Sequence, residues 1–177
     1  MPTTTAFTPV DPSAATGKAA ELLAQVRKSL GSVPNMTKAM ANSPTLLEAY
    51  LALSGVVAGG SLTPAVRERL AVATAQLNGC EYCLSAHTYV GAHVAKIDTE
   101  ELERARRGRS QDGHLAALLE LSNSIAENAG DVDASDLDRA RRAGVTDEEI
   151  GELVANLALN ILTNYFNVLA DVDNDWP

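Results

Sequence analysis

One short stretch of the sequence carries thiol and imidazole groups at helical spacing. Both cysteines of the chain, Cys80 and Cys83, lie two residues apart, and His87 follows on the same side. Asn78-Gly79 directly precedes them and breaks the helical pattern, so Cys80 is predicted to open a new helix. At 100° per residue, Cys83 lies about 60° and His87 about 20° from Cys80 around the helix axis. All three side chains are therefore predicted to share one face.

This arrangement favours thiol redox chemistry. Unpaired backbone N–H groups and the helix dipole stabilise a thiolate at a helix N-terminus. Residues three apart on a helix have Cα atoms roughly 5 to 5.5 Å apart, which is within the span of a disulfide. Cys80 and Cys83 can therefore open and close a disulfide reversibly. His87, one turn after Cys83, can take a proton from that sulfur or return one to a departing oxygen.

A carboxylate is predicted to complete the site. Thr63-Pro64 is typical of a helix start, and a helix from there to the Asn-Gly link contains Glu68. The link makes the two helices an antiparallel hairpin, in which Glu68 lies about 16 Å and His87 about 11 Å from the turn. The carboxylate can therefore meet the imidazole directly or through one water. We predict a proton relay of Glu68, His87, Cys83 and Cys80.

The spacing of these four residues resembles a known family. Glu68, eleven intervening residues and Cys80-x-x-Cys83-x-x-x-His87 resemble the core motif of alkylhydroperoxidase D-like (AhpD-like) members of the carboxymuconolactone decarboxylase superfamily. The peroxidase-related branch is the most similar. The resemblance extends more loosely to three other segments, which are Val33-Pro34-Asn35 with Ser43-Pro44, Asn164-Tyr165-Phe166-Asn167, and Asp171-Val172-Asp173.

The resemblance implies an all-α fold, homo-oligomers and thiol-dependent reduction of hydroperoxides. It implies that Cys83 attacks the peroxide and that Cys80 is the resolving thiol, whereas the helix terminus alone favours Cys80 as the more acidic thiol. A thioredoxin-like or lipoyl-bearing protein would reduce the resulting disulfide, and neither a cofactor nor a metal is required. Tyr82 stands where some family members carry a histidine, and it is predicted to pack in an interface or to line the site.

Several alternatives remain open at this level. The fold could support decarboxylation of a muconolactone-type lactone, which does not need a pair of cysteines. The cysteines could instead form a non-enzymatic thiol switch or a metal-binding module, for which His93 or His114 would have to arrive from elsewhere. Glu68 could form a buried salt bridge to an arginine such as Arg67 or Arg69 from another segment.

Composition and charge bound the class of protein. The chain has 177 residues, of which 46% are hydrophobic and only 4% aromatic, so one domain with a core of Leu, Val and Ala is expected over residues 11–177. Such small side chains favour burial between subunits, and a trimer or hexamer is expected. A net charge of −9 argues against nucleic-acid and anionic membrane partners. No signal peptide and no apolar run approaching 18 residues are recognised, so a cytoplasmic location is expected.

Residues typical of helix starts and ends predict the remaining helices. No segment has the period-two alternation of a strand. Residues 1–10 are predicted to form an extended arm, either disordered or laid on a neighbouring subunit. Asp11-Pro12 is expected to cap the first helix, Ser43-Pro44 another, and Ser110 a long helix after Gly108. Two capping boxes are predicted, Asp98 with Glu101 and Thr146 with Glu149, the second opening a final helix to about Ala170. Along that helix Asn160, Asn164 and Asn167 are predicted to hydrogen-bond across a helix interface, with a role in the site as the alternative.

Overall fold

A computed structural model describes residues 7–177, and over this range the chain is built from nine α-helices without strands. The prediction of an all-α fold is confirmed. The helices are α1 (Gly17–Leu30), α2 (Asn35–Met40), α3 (Pro44–Ala58), α4 (Pro64–Leu77), α5 (Glu81–His93), α6 (Thr99–Arg106), α7 (Gly113–Glu127), α8 (Ala134–Arg142) and α9 (Asp147–Ala170).

Three helices begin where local capping chemistry predicts. The Ser43 side chain accepts a hydrogen bond from the backbone of α3, and the Thr63 side chain does the same for α4, each followed by proline at the first helical position. Thr146 and Glu149 form a reciprocal capping box at the start of α9. These contacts satisfy backbone donors that a helix terminus leaves unpaired, so residues a few positions apart decide where the helix starts.

Two predicted helix starts are wrong because the side chains have other partners. Asp11 does not cap α1, since its carboxylate accepts from Ser13 within a local turn and the helix begins only after Thr16. The cap of α7 is Asp112 rather than Ser110, whose hydroxyl donates to Glu101 instead.

The start of α6 also differs from the predicted capping box. Asp98 caps the helix, but its side chain accepts from the backbone of Glu100. Glu101 is occupied by hydrogen bonds from Ser110 and Gln111, so it does not reach back to the cap. Tertiary partners thus replaced the local interaction in this case.

Helix α4 lies at the centre of the fold and packs against α5, α6, α7 and α9. Its consecutive residues from Leu70 to Ala75 are all buried, so neighbours surround it. The buried apolar residues form two clusters. One lies between α1–α3 and the C-terminal part of α9 and includes both cysteines and Tyr82, while the other is built around α4, α6 and α7.

The link between α4 and α5 is three residues long. Gly79 has φ +64°, the left-handed conformation that glycine adopts without a Cβ penalty. The backbone N–H of Gly79 donates to Gln76 and that of Cys80 donates to Ala75, which is the hydrogen-bond pattern of a Schellman motif. Cys80 is also the N-cap of α5. One residue therefore ends α4 and begins α5.

Helix α9 differs from the sequence expectation about apolar runs. By length and composition α9 could cross a membrane, and it is the one such helix among the described residues. The sequence had been expected to contain no apolar run approaching that length. Half of its apolar window is buried within the protein, and its buried residues include Asn156, Asn160 and Asn164. Since α9 packs on α3, α4, α5 and α7, it is a core helix of this fold.

The described part of the predicted N-terminal arm lies on the chain's own helices. The backbone N–H of Val10 donates to the carbonyl of Lys38, and Asn42 donates to the carbonyl of Thr8. The Phe7 and Phe166 rings have centroids 5.5 Å apart. Residues 1–6 of the arm lie outside the described residues.

His114 links α7 to the start of α9. Its Nε2 is 2.8 Å from Glu149 Oε1, and its Nδ1 is 3.2 Å from the carbonyl of Ala143. Because both ring nitrogens face acceptors, the doubly protonated ring satisfies both contacts. The hydrogen bond to Glu149 is the main cause that raises the pKa of His114 above its ordinary 6.5, against partial burial.

We expect His114→Gln to lower the melting temperature most below pH 6.5. A raised folded-state pKa contributes stability that is fully present below the unfolded value and is lost as the pH rises through the folded value. Since the pair is partly exposed, a decrease of about 1–3 °C is expected at pH 5.5 and a smaller one at pH 8. Melting curves across pH would test this, with the exposed His93→Gln as control. An equal decrease at both pH values would contradict the role of the charge.

Candidate active site

Cys80 and Cys83 form a disulfide at the start of α5, with their Cα atoms 5.3 Å apart. The backbone N–H of Cys83 donates to Cys80 Sγ at 3.2 Å, so the sulfur of Cys80 serves as the helix cap. Both residues are almost fully buried, with exposed fractions of 2% and 3%. The sulfurs are therefore shielded from bulk water on most sides.

Glu68 of α4 and His87 of α5 are in direct contact. Glu68 Oε2 lies 2.8 Å from His87 Nδ1, and both side chains are partly buried. A carboxylate beside Nδ1 favours the tautomer that carries its proton there, which leaves Nε2 to exchange protons with another group. The hairpin therefore joins the carboxylate and the imidazole without an intervening water.

The arginines considered as alternative partners of Glu68 bind elsewhere. Arg69 is paired with Glu101, and Arg67 donates to the carbonyl of Leu62. The contact with His87 is thus the ion pair that Glu68 makes among the described residues. Neither of these arginines therefore forms the alternative salt bridge with Glu68.

A cavity of about 290 Å³ opens beside these groups. Cys83, His87 and Glu68 contribute to its wall, whereas Cys80 does not. Both cysteines belong to the apolar cluster between α1–α3 and α9, but of the two only Cys83 also reaches the cavity. A small molecule entering the cavity therefore meets Cys83 first, and Cys80 lies behind it.

The rest of the cavity wall combines an apolar and a polar side. The apolar side includes Leu30, Met36, Val57 and Val90, and the polar side includes Asn156, Asn160, Thr163 and Asn167. Tyr50 also lines the cavity, and burial, together with the charge of Glu68, raises the pKa of its phenol. Its hydroxyl therefore stays neutral at physiological pH.

Tyr82, between the two cysteines, is buried and also contributes to the cavity wall. Its hydroxyl donates to Asp175 Oδ1 at 2.8 Å and accepts from the backbone N–H of Met36 at 3.3 Å. Burial is the main cause that raises the pKa of Tyr82 well above its ordinary value. A neutral phenol therefore joins α5 to α2 and to the C-terminal segment.

The C-terminal segment 172–177 folds back over α5, an arrangement that no sequence pattern predicts. Asp175 Oδ2 accepts from the backbone N–H of Asn35, and Asn174 donates to Ser85. The ring of Trp176 lies near that of Tyr89 and forms part of the cavity wall. The contact between Asp175 and Asn35 joins residues 140 positions apart, so local spacing in the sequence gives no signal for it.

The asparagines of α9 divide between two roles. Asn164 accepts from Asn78 across the interface with the hairpin link, as predicted, whereas Asn160 donates to Asn156 within its own helix. Asn167 Nδ2 lies 3.2 Å from Cys83 Sγ. The alternative prediction, a place in the site, therefore describes Asn167. The sequence signal for such a place is a polar residue within an otherwise apolar helix.

A metal centre has no ligand set in the described part of the chain. Residues 7–177 contain no group of three or more His, Cys, Asp or Glu side chains placed to hold a metal ion. His93 contacts the carbonyl of Tyr89, and His114 contacts Glu149, so neither histidine joins the cysteines.

Comparisons with solved structures show where this fold has been seen. The chain is similar to the alkylhydroperoxidase AhpD core of an uncharacterized peroxidase-related protein from Ralstonia eutropha JMP134, with 22% identity, a TM-score of 0.84 and coverage of 96% of this chain and 91% of the other. An uncharacterized peroxidase-related protein from Silicibacter sp. TM1040 has 21% identity, a TM-score of 0.81 and coverage of 99% and 95%. The debrominase Bmp8 has 19% identity, a TM-score of 0.79 and coverage of 97% and 93%.

Sequence comparisons add a family match over part of the chain. Curated protein sequences give no significant match to the chain. Residues 44–123, which include Glu68, Cys80, Cys83 and His87, match the Carboxymuconolactone decarboxylase family. Residues 44–123 are thus similar to the Carboxymuconolactone decarboxylase family, and the described part of the chain adopts the fold of the AhpD core and of the second peroxidase-related protein.

Proposed function

We propose that this protein reduces hydroperoxides with the Cys80/Cys83 pair and a Glu68/His87 proton relay. The observation that carries the proposal is the different position of the two sulfurs relative to the cavity. Cys83 lines a cavity together with the hydrogen-bonded Glu68–His87 pair, while Cys80 lies behind it within disulfide distance. This is the arrangement that an attacking thiol, its proton acceptor and a resolving thiol require.

In the proposed cycle His87, oriented by Glu68, takes the proton of the Cys83 thiol. The thiolate attacks the terminal oxygen of the hydroperoxide, the O–O bond breaks, and His87 returns the proton to the leaving alkoxide. Cys83 is then a sulfenic acid. The Cys80 thiol displaces its hydroxyl as water and closes the disulfide. A thioredoxin-like or lipoyl-bearing dithiol protein resets the pair by thiol–disulfide exchange.

A second candidate is reductive dehalogenation by the same pair. The debrominase Bmp8 shares the fold, and a cysteine variant of it has been solved with 2,3,4-tribromopyrrole. In this chain the aromatic side chains Tyr50 and Trp176 border the cavity beside Cys83, a surface suited to a flat ring. Cys83 would take the halogen as the ring gains a proton, and Cys80 would release halide and form the disulfide. Bromide release from brominated pyrroles, measured beside peroxide consumption, separates the two.

Decarboxylation of a lactone and a non-enzymatic thiol switch are less well supported. The family description includes a decarboxylase, but that reaction gives no role to a sulfur pair at the cavity wall. A switch gives no role to the Glu68–His87 contact or to the cavity. Disulfide cycling without peroxide or halide turnover would favour the switch.

The two cysteines are expected to behave differently when substituted. Cys83→Ser should abolish hydroperoxide consumption, because it removes the sulfur that faces the cavity. Cys80→Ser should allow one stoichiometric turnover and then stop at the sulfenic acid, because no resolving thiol remains. Anaerobic stopped-flow kinetics with sulfenic acid trapping measures both. Equal single-turnover activity in Cys83→Ser would reverse the assignment.

Glu68→Gln is expected to slow thiolate formation while the fold and the disulfide persist. Removing a positioned acid–base group typically lowers the rate by about 10²-fold. Alkylation of the reduced cysteines should require a higher pH, since His87 loses the carboxylate that supports its positive charge. The alkylation profile and the melting temperature are to be measured on the same variant.

Glu101→Gln is the matched control for Glu68→Gln. Its side chain is 17% exposed, close to the 19% of Glu68, and it pairs with Arg69 outside the cavity. The control should lower the melting temperature and leave the alkylation profile in place. If Glu68→Gln also lowers the melting temperature without moving the alkylation profile, Glu68 is a structural residue and has no part in the mechanism.

We further propose a cytoplasmic homo-oligomer of three or six chains. Tyr165, Val168 and Leu169 of α9 are all more than half exposed, and their spacing places them on one side of the helix. A cluster of large exposed apolar side chains is typical of a surface that a partner covers. We take that partner to be a second copy of this chain, as the resemblance to AhpD-like proteins implies.

Light scattering is expected to give three or six times the chain mass of 18.6 kDa. Leu169→Glu should shift the population toward monomer, because a carboxylate would be buried without a partner. Val154→Glu, on the same helix but far from the three exposed residues, should stay assembled. A monomeric wild type at micromolar concentration would contradict the assembly, and an unchanged Leu169→Glu would contradict the choice of surface.

A further inference from the structure

Asn167 is the polar side chain that α9 brings to the Cys83 sulfur. It is 3% exposed and lies in the cavity wall, 84 positions along the chain from Cys83. Its Nδ2 is 3.2 Å from Cys83 Sγ and 3.2 Å from Met36 Sδ. The amide therefore contacts a sulfur that changes its bonding during the proposed cycle.

The orientation of this amide follows from the chemistry of its neighbours. In the disulfide Cys83 Sγ carries no hydrogen, and the thioether of Met36 carries none in any state. Sulfur can only accept a hydrogen bond from such a group, so the NH₂ end of the amide must face both atoms. The oxygen then points elsewhere, and Asn167 Oδ1 is buried with no hydrogen-bond partner among the described residues.

Reduction changes what this contact provides. A Cys83 thiolate would be an anion with little access to water, and burial disfavours an anion unless a donor compensates it. A hydrogen bond to an ionised acceptor is roughly twice as strong as one between neutral groups. Cys80 Sγ accepts a hydrogen bond from the backbone N–H of Cys83. Among the described residues, the hydrogen-bond donor to Cys83 Sγ is Asn167 Nδ2.

We propose that Asn167 is a catalytic residue for the reaction of Cys83, which rests on the proposed function of the same site. Its amide donates an N–H to the Cys83 thiolate, and its oxygen accepts a hydrogen bond from an O–H group bound next to that sulfur. The hydroperoxide carries such a group before attack, and the sulfenic acid of Cys83 carries one after it. The pair of contacts orients the O–H during attack and holds the sulfenic acid until Cys80 displaces water.

Asn167 also influences which of the two thiols attacks. The start of α5 donates a hydrogen bond to the sulfur of Cys80, the N-cap. Asn167 instead donates to the sulfur of Cys83, which faces the cavity. A side-chain donor from α9 therefore offsets the advantage that the helix start gives to Cys80. Activation of Cys83 then depends on a residue outside the hairpin.

The test compares Asn167→Asp and Asn167→Leu with Asn164→Asp. Asn164 lies one turn earlier on α9, is fully buried, and bonds to Asn78 rather than to sulfur. In the reduced full-length protein with Cys80→Ser, the pH midpoint of Cys83 alkylation should rise by about one unit or more in Asn167→Asp, where a carboxylate replaces the donor. Asn167→Leu should shift it upward by less. Asn164→Asp should lower the melting temperature and keep the midpoint.

The second measurement uses the same Cys80→Ser background with a hydroperoxide. The lifetime of the trapped sulfenic acid should be shorter in Asn167→Leu, because its O–H loses the amide acceptor. An unshifted alkylation midpoint in Asn167→Asp, with a melting temperature lowered as in Asn164→Asp, would overturn the proposal and make Asn167 a packing residue. Failure of the wild type to consume any hydroperoxide would contradict the proposed function instead, since the alkylation midpoint needs no peroxide.

Discussion

The three-residue connection between α4 and α5 is the constraint on which the rest of the site depends. Gly79 takes the left-handed conformation that closes the end of α4, and Cys80 immediately caps α5. With so short a link the two helices must run antiparallel and in contact. Glu68 and His87 then fall opposite each other at 2.8 Å, although they are 19 positions apart in the chain. A residue with a Cβ at position 79 would strain the turn that sets this register.

Burial gives the two neighbouring sulfurs different surroundings. Both belong to the same apolar cluster, but only Cys83 also borders the cavity, where it contacts Asn167. In the proposed cycle this protects the resolving thiol while the attacking thiol meets small substrates. The wall that shields both sulfurs includes the C-terminal segment, which is held to Tyr82 and Asn35 by Asp175. Any protein reductant would reach the disulfide only if part of this wall moved.

Local rules predicted some elements well and failed at others for identifiable reasons. Ser43 and Thr63 cap their helices as expected because each is followed by proline and has no competing partner. Ser110 and Asp11 carry the same kind of signal, but Glu101 and Ser13 occupy them instead. A capping side chain binds whichever donor or acceptor the folded chain brings nearest, which is two residues away for Asp11 and nine residues away for Ser110.

The sequence by itself determined the helical class, the hairpin and the grouping of Glu68, Cys80, Cys83 and His87, because helical periodicity and one Asn-Gly turn fix those relations within twenty residues. Only the tertiary structure decided which sulfur faces a cavity and that Asn167 reaches it. Those relations join residues more than eighty positions apart. They arise from how α9 packs across the hairpin, where burial of many apolar side chains sets the position of a few polar atoms.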